Sequence, residues 1–124
     1  MKILLVGNGN LRHRGARYYD QAVKLQNGLI RAGHHVYFLS DRDLTHSLDQ
    51  FTTPGIPGTK AHKRKHVSRF FLDVCRHLKP EMILLAHADL IEVAALLAAR
   101  ELLPKVRIAQ YNNDIIFNAH NAAN

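Results

Sequence analysis

The stretch Leu29-Ile30-Arg31-Ala32-Gly33-His34-His35-Val36-Tyr37-Phe38-Leu39 changes its periodicity at one glycine. Before Gly33, the residues Tyr18, Ala22, Leu25 and Leu29 recur at helical spacing. After it, Val36 to Leu39 is a run of β-branched and aromatic residues suited to a strand. Gly33 is the stop signal, because glycine adopts the left-handed cap of a helix without a Cβ penalty. Upstream, Lys2 to Gly7 (KILLVG) is a short apolar run closed by glycine, the pattern of a strand buried on both faces. Strand, helix and strand are therefore expected within the first 39 residues.

The same alternation continues downstream. Residues 40–59, punctuated by Pro54, Gly55, Pro57 and Gly58, read as a loop. Val67, Phe70, Phe71, Val74 and Leu78 form the apolar stripe of a second helix closed by Pro80, with both phenylalanines expected in the core. Met82 to Ala86 (MILLA) is a third buried strand. Asp89, with Glu92 three residues on, has the form of a capping box opening a helix to about Leu102. That helix is apolar nearly all round and is expected to be well buried. Pro104 ends it, and Val106 to Tyr111 (VRIAQY) makes a fourth strand. Such an order implies right-handed crossovers and a parallel sheet with helices on both faces. The expected fold class is α/β: one Rossmann-like, three-layer α/β/α domain, residues 1–124, with a parallel sheet of about four to five strands.

Composition narrows the class further. Hydrophobic residues at 47% and charged residues at 22% exclude an intrinsically disordered chain. The longest apolar run, Leu90 to Leu103, holds Glu92, Arg100 and Glu101 and is too short to span a bilayer. The opening apolar strand is too short for the core of a signal peptide. Cys75 is the only cysteine, so no internal disulfide forms, and a cytoplasmic protein is expected. The net charge of +7 favours anionic partners without choosing among them.

In an open parallel sheet, ligands bind beyond the carboxyl ends of the strands. Four loops, beginning near Gly7, Ser40, Ala86 and Tyr111, should meet there. The first contains Asn8, Gly9, Asn10, Arg12, Arg14 and Gly15: its glycines admit a ligand close to the backbone, and its arginines suit a phosphate or carboxylate. A solvated basic turn is the alternative. The G-x-G-x-x-G fingerprint is not met, since Arg12 stands where glycine is required, and the P-loop pattern fails as well. In the second loop, Asp41 stands where an acid would take ribose hydroxyls, though a sugar hydroxyl or Arg42 are equally open partners. His87, directly after a buried strand, is a candidate general base, and Asp89 beside it is read as the helix cap. In the fourth loop, Asn112 and Asn113 offer donors and acceptors for sugar hydroxyls. Asp114 is a candidate base for a hydroxyl nucleophile, against an Asx-type turn.

Lys60, His62, Lys63, Arg64, Lys65, His66 and Arg69 make a basic cluster at the start of the second helix. A solvated helix start, an anionic membrane surface docking on residues 60–69, and nucleic acid rank in that order, nucleic acid being unlikely for want of aromatics among the basic residues. The nine histidines read as scattered, with neither an H-x-x-x-H pair nor a Cys/His set taken from their spacing, so neither a metal nor another cofactor is expected.

Three segments together resemble one family. Leu29 to Leu39 resembles the "L-x-x-x-G-H-x-V-x-x-x" signature of the N-terminal domains of GT-B glycosyltransferases, family 4-like. Lys79-Pro80-Glu81-Met82-Ile83-Leu84-Leu85-Ala86-His87 is similar to their "K-P-D-hydrophobic-hydrophobic-x-x-H" segment, and Arg107 to Asp114 to the strand and polar loop that follow. The likeness runs from Lys2 to about Asp114. It departs at the first loop, Gly7-Asn8-Gly9-Asn10, where the family more often has P-x-x-G-G.

The resemblance implies transfer of a sugar from a nucleotide-sugar donor to an acceptor hydroxyl, in a cleft between two domains. It makes this chain the acceptor-binding half, with His87 and Asp114 catalytic and Asn8, Gly9, Asn10, Arg12, Arg14, Gly15, Asp41, Asn112 and Asn113 binding substrate. The donor's phosphate and ribose ligands would belong to a missing C-terminal domain, so the chain is expected to be part of a longer protein and inactive alone. A soluble protein, possible at the inner membrane surface through residues 60–69, is the corresponding location. The rival expectation is a stand-alone Rossmann- or flavodoxin-like domain that binds a nucleotide or phosphate without catalysis.

Overall fold

A computed structural model of the chain describes residues 1–9, 20–49 and 60–111. The first strand to form in sequence is the centre of the sheet. β1 (Lys2–Gly7) pairs in parallel with β2 (His35–Ser40) on one side and with β3 (Met82–Ala86) on the other. β3 in turn carries β4 (Arg107–Tyr111), giving the all-parallel order β2-β1-β3-β4 among the described residues. The connections are helical: α1 (Asp20–Arg31) before β2, α2 (Asp41–Asp49) and α3 (Lys60–Leu78) before β3, and α4 (Val93–Leu102) before β4. The α/β architecture with a four-stranded parallel sheet flanked by helices is the one the alternation implied.

Alternation along β1 assigns the faces. Leu4 and Val6 join Leu39, Ile83 and Leu85 beneath α3 and α4, where Val67, Phe71, Cys75, Ala95 and Ala99 complete the core. Ile3 and Leu5 point the other way, to the side of the sheet that Ala22 of α1 covers at Gly7. Burial of side chains such as Phe71, Leu4 and Ile83, each with no exposed surface, stabilises the fold by roughly 1.5–3 kcal/mol apiece.

Two helices end in left-handed caps. Gly33 has φ +84, and the bonds from Gly33 N–H to Ile30 O and from His34 N–H to Leu29 O close α1 in a Schellman pattern. At the end of α3 a lysine does the same work: Lys79 has φ +48 and donates to Cys75 O at 3.0 Å, with Pro80 preventing continuation.

Four expectations are corrected. Residues 41–49 of the expected loop form α2, with Ser40 just before its first residue donating to the carboxylate of Asp43; residues 50–59 lie outside the described residues. The last helix begins at Val93 with Glu92 as its N-cap, not at Asp89, whose carboxylate is taken by an arginine of α2. Phe70 is not in the core; it is 40% exposed, while its neighbour Phe71 is fully buried. Finally, α4 buries only Ala95 and Ala99 and leaves Val93 and Leu97 facing outward at 71% and 57% exposure. Its apolar composition exceeds the one face that α3 and the sheet can cover.

Candidate functional site at the carboxyl edge of the sheet

The strand register fixes where polar loops can converge. Gly7 is level with Ser40 on one side and with Ala86 on the other, and Ala86 is level with Tyr111. The four carboxyl ends therefore stand in one row, Ser40–Gly7–Ala86–Tyr111. From β1 the chain crosses to β2 on one side, and β3 returns on the opposite side. The order reverses between β1 and β3, the place where doubly wound sheets open a ligand crevice.

Both loops at that reversal carry unusual features. A Cβ on Gly7 would lie 2.7 Å from the carbonyl oxygen of Ala86, so only glycine lets these two strand ends approach as closely as they do. Immediately after Ala86, His87 takes φ +60, a left-handed conformation that costs a non-glycine residue roughly 1–3 kcal/mol. Its imidazole is exposed at this edge of the sheet. Next to Gly7, Asn8 has a buried amide oxygen with no hydrogen-bond partner, a state that costs about 1–3 kcal/mol where no ligand or water satisfies it.

On the other side of β1, Ser40 organises the entrance. Its hydroxyl donates to the carboxylate of Asp43 and accepts the backbone N–H of Gly9 at 3.0 Å. The first loop is thereby tied to the N-terminus of α2. Gly9 sits in a tight space, with a Cβ there meeting Asp43 Oδ2 at 3.1 Å and Phe38 at 3.2 Å.

Behind this rim lies a part-buried ionic network. Asp41 is completely buried. Its Oδ1 accepts the N–H of Arg42 at 2.8 Å and its Oδ2 accepts the N–H of Leu90 at 3.3 Å. Arg42 Nη2 reaches Asp89 Oδ2 at 2.8 Å, and Arg64 Nη2 of α3 donates to the carbonyl of Asp89 at 2.9 Å. Ser68 accepts the N–H of Glu92 at 3.0 Å. Residues of α2 and α3 thus hold the β3–α4 loop down onto the sheet edge. Burial, and then the nearby Asp89 carboxylate, push the Asp41 carboxyl up to about 7; the two backbone N–H groups and Arg42 pull against that rise. Arg64 Nε and Asp89 Oδ1 are buried without partners in the same network.

The chain matches no family model, no curated protein and no solved structure.

Of the residues expected at the site, Asn8, Gly9, Asp41 and His87 fall among those described, all at the carboxyl edge. Asp41 lies beneath the rim with its carboxylate engaged by backbone N–H groups, whereas His87 is exposed upon it. Asn10, Arg12, Arg14, Gly15, Asn112, Asn113 and Asp114 lie outside the described residues. The Arg42–Asp89–Arg64 arrangement is new. Its pairings, across 47 and 25 residues, had no local signal. Among the described residues no group of three His, Cys, Asp or Glu side chains could hold a metal ion. His62 and His66 do stand four residues apart on α3, the H-x-x-x-H spacing that a view of the histidines as scattered overlooks, with ring centroids 5.4 Å apart.

Proposed function

We propose that the crevice between the β1 and β3 loops binds the hydroxyl-bearing acceptor in a glycosyltransferase, this chain being the acceptor-side half. One observation carries the proposal: at the reversal of strand order, a strained exposed histidine and an unpaired buried amide oxygen follow the level ends of neighbouring strands. In that role Asn8 Oδ1 accepts a hydroxyl hydrogen of the acceptor and orients it. His87 takes the proton of the attacking hydroxyl as its oxygen bonds to the anomeric carbon. The bond from that carbon to the donor's nucleotide phosphate breaks, and the nucleotide leaves with the electron pair. Asp114, outside the described residues, is the second candidate for the proton. The donor would be held by a further domain, and this chain alone would not turn over.

The strand order supports one rival. The arrangement 2-1-3-4 is the opening of the flavodoxin-like order, in which a phosphate-bearing ligand sits at the β1/β3 reversal. Amide-resolved NMR titration of the 124-residue chain separates the two. Alkyl glycosides are expected to shift Asn8, Gly9, Ala86 and His87, and His87→Ala to weaken that binding about tenfold, the scale of one lost polar contact. Shifts at these residues with flavin mononucleotide or uridine diphosphate and none with glycosides would sink the acceptor role in favour of a nucleotide-binding domain.

A further inference from the structure

The basic cluster of α3 is divided by the fold. Arg64 turns inward to the carbonyl of Asp89. His62, Lys65, His66 and Arg69 instead line one shallow cavity of about 190 Å³ on the outer face of the helix. Their spacing explains the grouping: positions 62, 65, 66 and 69 lie three and four residues apart and share one helical stripe. The opposite stripe, Val67, Phe71 and Cys75, is the part buried against the sheet.

This cavity is electrostatically costly. The first turn of α3 contains no acidic residue, and the helix carries seven Lys, Arg and His residues before its first acid, Asp73. Helix N-termini already bear partial positive charge, so cations of the first turn oppose the helix, and Lys65 and Arg69, four residues apart beyond it, add like-charge repulsion. Asp73 does not offset them, because it is paired with Arg76 at 2.6 Å further along. No carboxylate among the described residues pairs with Lys65 or Arg69. At Lys65 and Arg69 like charges thus stand on one stripe with no paired carboxylate, the kind of local conflict that functional sites carry. The same positive field argues against a metal cation on the His62 and His66 pair and for an anion between them.

We propose that His62, Lys65, His66 and Arg69 form a binding site for a phosphate group. Arg69 supplies planar paired donors, Lys65 a mobile ammonium, and the two imidazoles N–H groups from either side. Phe70, exposed beside Arg69, adds an apolar edge that a phosphate carried on a lipid surface would use and a free phosphate would not. The site lies on the outer face of α3 and does not depend on the acceptor role assigned to the carboxyl-edge crevice.

The test follows the amide signals of residues 61–70 on addition of inorganic phosphate, and measures co-sedimentation with vesicles of phosphatidylcholine containing phosphatidic acid. Either probe should bind the wild-type chain. Lys65→Ala/Arg69→Ala should weaken that binding at least about tenfold, while Arg31→Ala/Arg100→Ala, which removes the same charge from exposed positions elsewhere, should change it less than about twofold. Inorganic phosphate binding that Phe70→Ser leaves unchanged identifies a soluble phosphate ligand. Binding confined to phosphatidic acid vesicles and weakened by Phe70→Ser identifies a lipid headgroup. Equal losses in the two double variants would mean diffuse attraction to a chain of net charge +7 and would overturn the site, as would failure of both probes. Circular dichroism of each variant secures the fold, and Lys65→Gln/Arg69→Gln provides a second pair that keeps the side-chain length.

Discussion

Asp41 has no exposed surface and stands at the junction of β2 and α2, so its ionisation is a property of the fold rather than of solvent. Its ordinary value of 3.8 becomes about 7, chiefly by burial. Between those two pH values the folded protein keeps a proton that the unfolded chain has lost, which makes stability fall as pH rises. The contribution is full near pH 4 and below, declines toward pH 7 and is level above it. Over that window the loss is on the order of 4 kcal/mol. Urea denaturation across the pH range should show the difference in stability between wild type and Asp41→Asn shrinking or reversing from pH 4 to 7 and constant beyond. A pH-independent difference would mean that Asp41 titrates alike in both states. Gly7 makes a second demand at this scale, since any Cβ there meets the backbone oxygen of Ala86.

At the scale of elements, the ends decide more than the middles. α2 opens at Ser40, whose hydroxyl binds the Asp43 carboxylate one turn on, in a sequence otherwise rich in polar residues. Ser40→Ala removes the bond to the Asp43 carboxylate and the acceptor for Gly9 N–H together. A loss of about 1 kcal/mol is expected in thermal or urea unfolding, the usual net worth of a hydrogen bond. The C-terminus of α3 presents the opposite case. Lys79 occupies a left-handed cap at φ +48, where a residue with a Cβ is disfavoured by roughly 1–2 kcal/mol. Lys79→Gly should therefore raise stability by about 0.5–1 kcal/mol, after allowance for the greater freedom of glycine in the unfolded chain. A fall in the unfolding midpoint would show that the aliphatic stem of Lys79 outweighs its backbone strain.

For the molecule as a whole, one buried thiol reports on cooperativity. Cys75 sits in the core between α3 and the sheet, and burial pushes its thiol up to about 11. Neither access nor thiolate is available at neutral pH while the fold is intact. Labelling with an aromatic disulfide at pH 8 should be at least about a thousandfold slower than in urea, and should rise along the global unfolding curve. Labelling well before that transition would identify α3 as a separately opening unit. Among the described residues no helix is long and apolar enough to cross a membrane.

The sequence by itself determined the elements whose cause is local. Lys2 to Gly7 and Met82 to Ala86 are strands within the bounds their apolar runs set. Gly33 ends α1 because its φ of +84 is a matter of one residue's sterics. From those runs alone came a parallel sheet and a polar edge at its carboxyl end, with Asn8, Gly9, Asp41 and His87 upon it. What depended on distant partners was not legible. Asp89 has the form of a cap, but Arg42, 47 residues away, claims its carboxylate and the helix starts later. Phe70 and Phe71 are adjacent and alike in sequence; only the direction of the sheet from α3 decides that one is buried and the other faces water. The seven-residue basic cluster is uniform as a string, yet the docking of α3 on the β3–α4 loop sends Arg64 inward and leaves His62, Lys65, His66 and Arg69 together outside. Hydrophobic periodicity is written along the chain, whereas the partners of a charge are set by which surfaces meet.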